Sequence, residues 1–249
     1  MTSTVVLITG GNRGIGEGLV GRFLAQPHHT VIAAVRNPEH PTSQSLANLT
    51  RGTGSTLITI RYDAGEEASA AAVVDELQSK HGVDHLDTVV ANAGISRDWP
   101  LVKDVKLAVI EEHVRVNVLG VIALYQATRD LLQKSKNPIF APMGSSGGSL
   151  GNQPPVPSAS YAGSKCMLNW YGVRIHGEDE WLTSIILDPG WTKTDMGWRA
   201  AEVFGNFGFS EPWVELEDSI NGLFKVLTTA TREKWGGKFV AYTGEIQAW

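Results

Sequence analysis

A phenol and an ammonium stand four residues apart in Ser158-Ala159-Ser160-Tyr161-Ala162-Gly163-Ser164-Lys165. The prolines just before them, Pro154, Pro155 and Pro157, cannot continue a helix, and Ser158 or Ser160 can cap one that starts after them. On that helix, positions i and i+4 share a face, so Tyr161 and Lys165 point the same way. A cation held that close favours the phenolate and draws the phenol's pKa from about 10 towards neutrality. Tyr161 then becomes a usable general acid or base. Taken alone, the pair is equally a surface Tyr and Lys one turn apart.

A second chemical signal lies at the N-terminus. The apolar run 4–8 leads directly into Thr9-Gly10-Gly11-Asn12-Arg13-Gly14-Ile15-Gly16, and the helical pattern Leu19, Val20, Phe23, Leu24 follows. Strand, glycine turn and helix in that order make a phosphate site, because glycines admit a pyrophosphate and the helix N-terminus offers free N–H groups. The plain alternative is a tight turn with no ligand. The second strand, 30–35, ends in Arg36-Asn37-Pro38, where NAD-binding folds carry an acid for the ribose 2′-hydroxyl. A guanidinium there binds a 2′-phosphate instead, and Arg13 can approach the same group. Two cations without an acid point to NADP(H) as cofactor; the bland reading is two solvated arginines.

These groups need a scaffold, and the chain supplies alternating strands and helices. Further strands are expected at 57–62, 86–91, 138–143, 181–187 and 237–242, with helices at 66–80, from 105 onward, 161–175 and 217–229. Pro142 cannot donate to a ladder, so pairing should be interrupted there. The alternation predicts an α/β fold: one doubly wound parallel sheet of Rossmann type, helices on both faces, filling a single domain over 1–249. After the fourth strand, Asn92-Ala93-Gly94 combines small residues with a side chain able to fix the turn. After the fifth comes the flexible Gly144-Ser145-Ser146-Gly147-Gly148-Ser149, at the sheet end where ligands bind.

Composition narrows the function classes. The formal charge of −5 gives no electrostatic footprint for nucleic acid or anionic membrane. No signal peptide and no run of membrane-spanning length stands out, so the expected location is cytoplasmic and no membrane partner is expected. Cys166 is the single cysteine, which rules out an intrachain disulfide; without a base at sensible spacing it reads as structural.

The form T-G-x-x-x-G-x-G, the Asn-Ala-Gly tripeptide, the Ser-Ser-Gly-Gly-Ser loop, the Tyr161/Lys165 pair and Pro189-Gly190 together resemble the short-chain dehydrogenase/reductase family over essentially the whole chain. Val35-Arg36-Asn37-Pro38, the stretch 188–197 and the closing 237–249 are similar to its carbonyl-reductase-like branch, including fungal ketoreductases of aromatic polyketide pathways. The resemblance implies catalytic roles for Tyr161, Lys165, Asn117 and a serine, Ser145 by the motif with Ser146 as its neighbouring alternative. Asn117 would hold a water for proton relay, or be a buried Asn bonded to backbone at a helix kink, or both. The interval from Ser145 to Tyr161 is longer than in the commonest members, the excess falling at 153–157.

By the same resemblance Gly10, Asn12, Arg13, Gly14, Ile15, Gly16, Arg36, Asn37, Asp63, Asn92, Ala93, Gly94, Tyr161, Lys165, Pro189, Gly190, Thr192 and Thr194 line the cofactor. Asp63 would meet the adenine edge, unless it is a helix cap. A substrate lid is implied at about 191–214, with Ser146, Trp191, Trp198 and Phe204 against a small-molecule ketone. Aromatic stacking is worth about 0.5–1.5 kcal/mol per pair, but these rings could equally anchor the lid. The implied activity is NADPH-dependent ketone reduction in secondary metabolism by a homodimer or homotetramer. A non-catalytic NADP(H)-binding regulator, or a dehydration or cyclisation on the same fold, are the other readings.

Overall fold

The computed structural model describes residues 3–249. In chain order its elements are β1 (Thr4–Thr9), α1 (Gly14–Leu24), β2 (His29–Val35), α2 (Pro41–Gln44), β3 (Thr56–Arg61), α3 (Glu67–His81), β4 (Thr88–Ala91), α4 (Leu107–Val114), α5 (Gly120–Leu132), β5 (Ile139–Pro142), α6 (Ala159–Glu178), β6 (Thr183–Ser184), β7 (Ile186–Asp188), α7 (Asp195–Phe204), α8 (Leu216–Thr228), α9 (Arg232–Trp235) and β8 (Phe239–Ala241). The main sheet is parallel, in the order β3-β2-β1-β4-β5-β6. β7 pairs with β8 and rejoins the main sheet at a bridge between Met143 and Leu187.

The two-residue repeat of a strand explains why the central runs are apolar throughout. Val5, Leu7, Ile32, Ala34, Val89 and Phe140 point to one face, where they meet Val73 and Leu77 of α3, Leu124 of α5 and Leu168 of α6. Val6, Ile8, Val31, Ala33, Val90 and Ala141 point to the other, against Leu19 and Phe23 of α1 and Leu223 and Val226 of α8. Each Val, Leu, Ile or Phe among them contributes about 1.5–3 kcal/mol on full burial. Two cores, one per face, make the sheet doubly wound as its sequence pattern predicts.

Two elements differ from that pattern. The strand expected at 181–187 divides at Ile185: β6 pairs with β5, whereas Gly237 N donates to Ser184 O (2.8 Å) and Ile186 N to Lys238 O (3.1 Å). Pro142 explains the division. On the β4 side Ile139 N donates to Asp87 O and Met143 N to Ala91 O (2.9 and 3.0 Å), so the alternate positions Phe140 and Pro142 face β6, and Pro142 has no N–H to offer. The long helix expected from 105 is α4 and α5 joined by a π-helical turn, Arg115–Leu119.

Candidate active site

The glycine loop joins β1 to α1 at the carboxyl end of the sheet. Gly10 has φ +65°, and a Cβ on Gly16 would lie 2.2 Å from the Gly10 carbonyl oxygen, so no larger residue fits that close approach. The first turn of α1 has Arg13 at its N-cap with no side-chain cap bond, which leaves its N–H groups free for an anion. Across the loop, Asn92 Nδ2 donates to Thr9 O (2.9 Å) and Ala93 N to Thr9 Oγ1 (2.9 Å), fastening the end of β4 to that of β1. Thr194 packs beside Gly14 and caps α7, accepting from Gly197 N at 3.1 Å.

Arg13 and Arg36 are exposed on the same side, and neither forms an ion pair among the described residues. Glu39, the acid nearest Arg36 in sequence, accepts instead from Gln44 (3.3 Å). The uncapped helix end, the crowded glycines and the unpaired guanidiniums fit a dinucleotide bearing a 2′-phosphate. Other expected contributors are occupied locally: Asn12 donates to Thr42 Oγ1 (2.7 Å) and Ser43 Oγ (3.2 Å), and Asn37 Oδ1 accepts from Glu39 N (3.0 Å). Asp63 Oδ1 accepts from Gly65 N (2.9 Å), closing the turn before α3 rather than capping the helix. Ile15 packs against the α1-side core, and Gly94 lies beside both Asn117 and Lys165.

The serine loop crosses to α6 by direct backbone packing. A Cβ on Gly148 would stand 2.6 Å from Cys166 N, so the loop lies against the helix backbone. This brings the Ser145 side chain into hydrogen bonding with the Tyr161 hydroxyl, while Ser145 Oγ also accepts from Gly147 N (3.1 Å). Ser146 is directed elsewhere, its N–H and hydroxyl both engaging Asp188. Lys165 is buried one turn beyond Tyr161, its ammonium 5.7 Å from the phenol ring centroid and donating to Met143 O (2.7 Å). Ser158 holds the N-cap position of α6 but its hydroxyl makes no cap bond, because ψ 37° departs from the extended backbone a capping side chain uses. Nor does Ser160 cap the helix; its hydroxyl is buried with no partner.

Asn117 lies in the π-helical turn and is completely buried. Its Oδ1 accepts from Ile95 N (2.8 Å), and its Nδ2 donates to Ile95 O (2.9 Å) and Ser164 Oγ (2.9 Å). Ser164 in turn donates to Tyr161 O (2.7 Å). Asn117 therefore ties the loop after β4 to the helix carrying Tyr161, as a buried Asn bonded to backbone at a helix irregularity.

The electrostatics depart from the sequence expectation. Burial pushes Tyr161 up to about 12; the Ser145 hydrogen bond works against this and the Asp188 charge adds to it. Burial also pulls Lys165 down to about 8. The ammonium that should draw the phenol towards neutrality is itself penalised as a cation and is committed to a carbonyl, so desolvation prevails.

A stability prediction follows from these shifts. Burial raises Tyr62 and Tyr125 as well as Tyr161, all above the 10.0 of a free phenol. Above about pH 10 the unfolded chain releases these protons while the folded one keeps them, so stability falls as pH rises. Lys165 acts oppositely: its cost, full below about pH 8, is relieved as pH rises towards 10.5. Thermal melting should therefore hold or improve between those values and drop beyond them, with a shallower drop in Tyr161→Phe. Identical alkaline slopes in the two proteins would contradict the burial of this phenol.

Aromatic rings gather beside Tyr161's end of the sheet. Trp191 meets Trp213 edge-on (5.0 Å between centroids) and Phe204 (5.7 Å), and Phe204 meets Trp99 (6.0 Å). Both ends of 191–214 are pinned together, with Lys193 N donating to Val214 O (2.9 Å) and Val214 N to Trp191 O (3.1 Å). Trp198 stands outside this cluster at 46% exposure, because α7 turns Gly197, Ala200 and Ala201 inward. Thr192 is buried, its hydroxyl donating within the Pro189-Gly190 turn (2.9 Å to Pro189 O). Sequence reasoning missed Trp99 and Asp188. A lone Trp just past Asn-Ala-Gly was the available signal for the first, since Pro100 O accepts from Ala159 N (3.2 Å) at the start of α6.

Comparison with known proteins supplies a context for this geometry. A family model described as short chain dehydrogenase matches residues 4–202. A norsolorinic acid ketoreductase of Emericella nidulans is 36% identical over 245 residues, spanning 96% of this chain and 91% of the relative. The norsolorinic acid ketoreductase of Aspergillus parasiticus is 36% identical over 248 residues, spanning 98% and 90%. Among solved structures, the NADPH-bound carbonyl reductase from chicken fatty liver aligns over 100% of both chains with a TM-score of 0.85 and 25% identity.

Proposed function

Because the chain belongs to the short-chain dehydrogenase/reductase family and is an oxidoreductase of CH–OH and C=O groups, we propose that it is an NADPH-dependent ketoreductase whose substrate is an aromatic or polyketide-type ketone of secondary metabolism. The observation that carries the reading is the contact of Ser145 with the Tyr161 hydroxyl, one turn from a buried lysine, at the sheet end that also holds the glycine loop.

When bound, NADPH would supply the hydride taken up by the ketone carbon. Tyr161 donates a proton to the oxygen of that ketone, and Ser145 donates a hydrogen bond to the same oxygen. Lys165 holds the nicotinamide ribose and returns protons towards Tyr161, with Asn117 supporting a water relay behind it. Gly10, Gly14, Gly16 and the first turn of α1 would hold the diphosphate, Arg13 and Arg36 the 2′-phosphate, and Asn92 to Gly94 with Pro189, Gly190, Thr192 and Thr194 the nicotinamide side. Trp191, Phe204, Trp213 and Trp99 form an aromatic wall suited to a flat ketone. The protein acts in the cytoplasm as a homodimer or homotetramer; Met167, Trp170 and Val173, exposed along α6, support association.

The test is NADPH consumption with a panel of ketones that includes flat aromatic ones, joined to mass analysis of the product. A gain of two hydrogens is expected. Cofactor binding without consumption across the panel would leave a regulator, and loss of water or an unchanged mass would leave dehydration or cyclisation.

A further inference from the structure

Asp188 closes β7 with a carboxylate that is 5% exposed. Its Oδ1 accepts two backbone N–H groups, from Ser146 on the serine loop (3.2 Å) and from Gly190 on the following turn (3.1 Å). The Ser146 hydroxyl bonds to the same carboxylate. Its own carbonyl is anchored by Tyr242 N (2.8 Å), so the group sits on a rigid strand end rather than a loose loop. The two loops it joins are the one carrying Ser145 and the one proposed to face the nicotinamide.

We infer that Asp188 is a positioning residue of the reaction centre: its carboxylate clips the Ser145–Ser146 turn to the Pro189–Gly190 loop and sets a fixed negative charge towards Tyr161 that keeps the phenol in its proton-donating form. The first half follows from the hydrogen bonds. By binding both polar groups of Ser146, Asp188 turns that residue away and leaves Ser145 to meet the phenol. Placement supplies the charge effect: Asp188 Oδ1 holds the N–H of Ser146, the residue next to the one that meets the Tyr161 hydroxyl, and an anion beside a phenol disfavours phenolate.

The ionisable groups around the clip are Tyr161 and Lys165 on α6 and Tyr242 just beyond β8. Lys165 directs its ammonium to Met143 O, and Tyr242 packs its ring edge near Gly190. The acidity of Asp188 is set by burial, which raises it, and by the Gly190 and Ser146 hydrogen bonds, which lower it; no cation contributes among the described residues. The two N–H groups on Oδ1 favour the carboxylate form, and a charge held there opposes ionisation of Tyr161. Ketone reduction needs the protonated phenol, and the carboxylate thereby extends the pH range over which it is available.

The catalytic consequence rests on the ketoreductase reading, and the test separates the two. Asp188→Asn keeps an oxygen for both N–H groups and removes the charge. It should bind NADPH within a few-fold of the parent, while the alkaline limb of kcat/KM for ketone reduction moves down by about one pH unit. Asp188→Ala removes the clip as well and should lower kcat by a further tenfold or so through a displaced Ser145. Ultraviolet difference titration of the phenolate, each protein against its Tyr161→Phe counterpart, reads the same charge effect without turnover. A downward shift there with no ketone reduced by any protein would sink the ketoreductase reading and leave the Asp188 inference standing. An unmoved phenolate titration and an unmoved alkaline limb in Asp188→Asn would overturn the inference. Should Asp188→Asn not fold, Asp188→Ser also removes the charge and is read in the same way.

Discussion

Replacing Tyr161 by Phe should lower ketone turnover by about 10³–10⁴-fold while NADPH still binds within a few-fold of the parent. The substitution removes one oxygen and keeps the ring, so packing near the Lys165 ammonium, 5.7 Å from the ring centroid, survives. What disappears is the hydroxyl that meets Ser145, and with it the phenol proton. Water would have to serve in its place, without the orientation the helix provides. Ser145 and the bound cofactor remain, which keeps the residual rate above background. Binding can be followed by quenching of the chain's 8 tryptophans on addition of NADPH. Near-native turnover by a variant that binds NADPH normally would remove Tyr161 from the chemistry.

The second large effect concerns cofactor choice. Arg36→Asp should weaken NADPH by about 100-fold and leave NADH within a few-fold. A charge-assisted hydrogen bond contributes about 1.5–3 kcal/mol, and an aspartate adds repulsion to its loss. Arg36 is exposed and follows the last residue of β2, Val35, so the substitution disturbs no core packing. Exposure also makes the attraction salt-sensitive, so the expected preference for NADPH should narrow as ionic strength rises. Arg13 remains in the variant, which limits the loss. Equal weakening of both cofactors would mean that Arg36 shapes the loop and does not read the phosphate.

Local signals in the chain carried much of this. Strand, glycine turn and helix fix their own order through periodicity, and Pro142 announced a ladder break that the structure places on the β6 side. The pairing of Tyr161 with Lys165 needed only the helical repeat. Non-local effects were hidden. Desolvation of Tyr161 depends on what the fold packs around it, so a neighbour-based argument gave the wrong direction. Trp198 sits in the aromatic-rich stretch yet faces outward, whereas Trp99 reaches the cluster from a distant loop. Asp188 looked like an ordinary residue ahead of Pro-Gly until two loops converged on it. The Arg115–Leu119 turn was equally invisible, because one residue too many per turn barely alters an apolar stripe.

That turn sets how this chain can tolerate insertion and deletion. A π-helical turn is an α-helix holding one extra residue, and each residue of an α-helix rotates its neighbours by about 100°. Losing a single residue there would restore ideal helix geometry and swing Asn117 off Ile95 and Ser164, so the more regular backbone would be the poorer protein. Length is thus constrained in the middle of a helix, where sequence drift is usually free, while the stretch 153–157 is mostly exposed and holds no catalytic side chain. Relatives that vary in size should vary at 153–157 and keep the residue count of the Arg115–Leu119 turn.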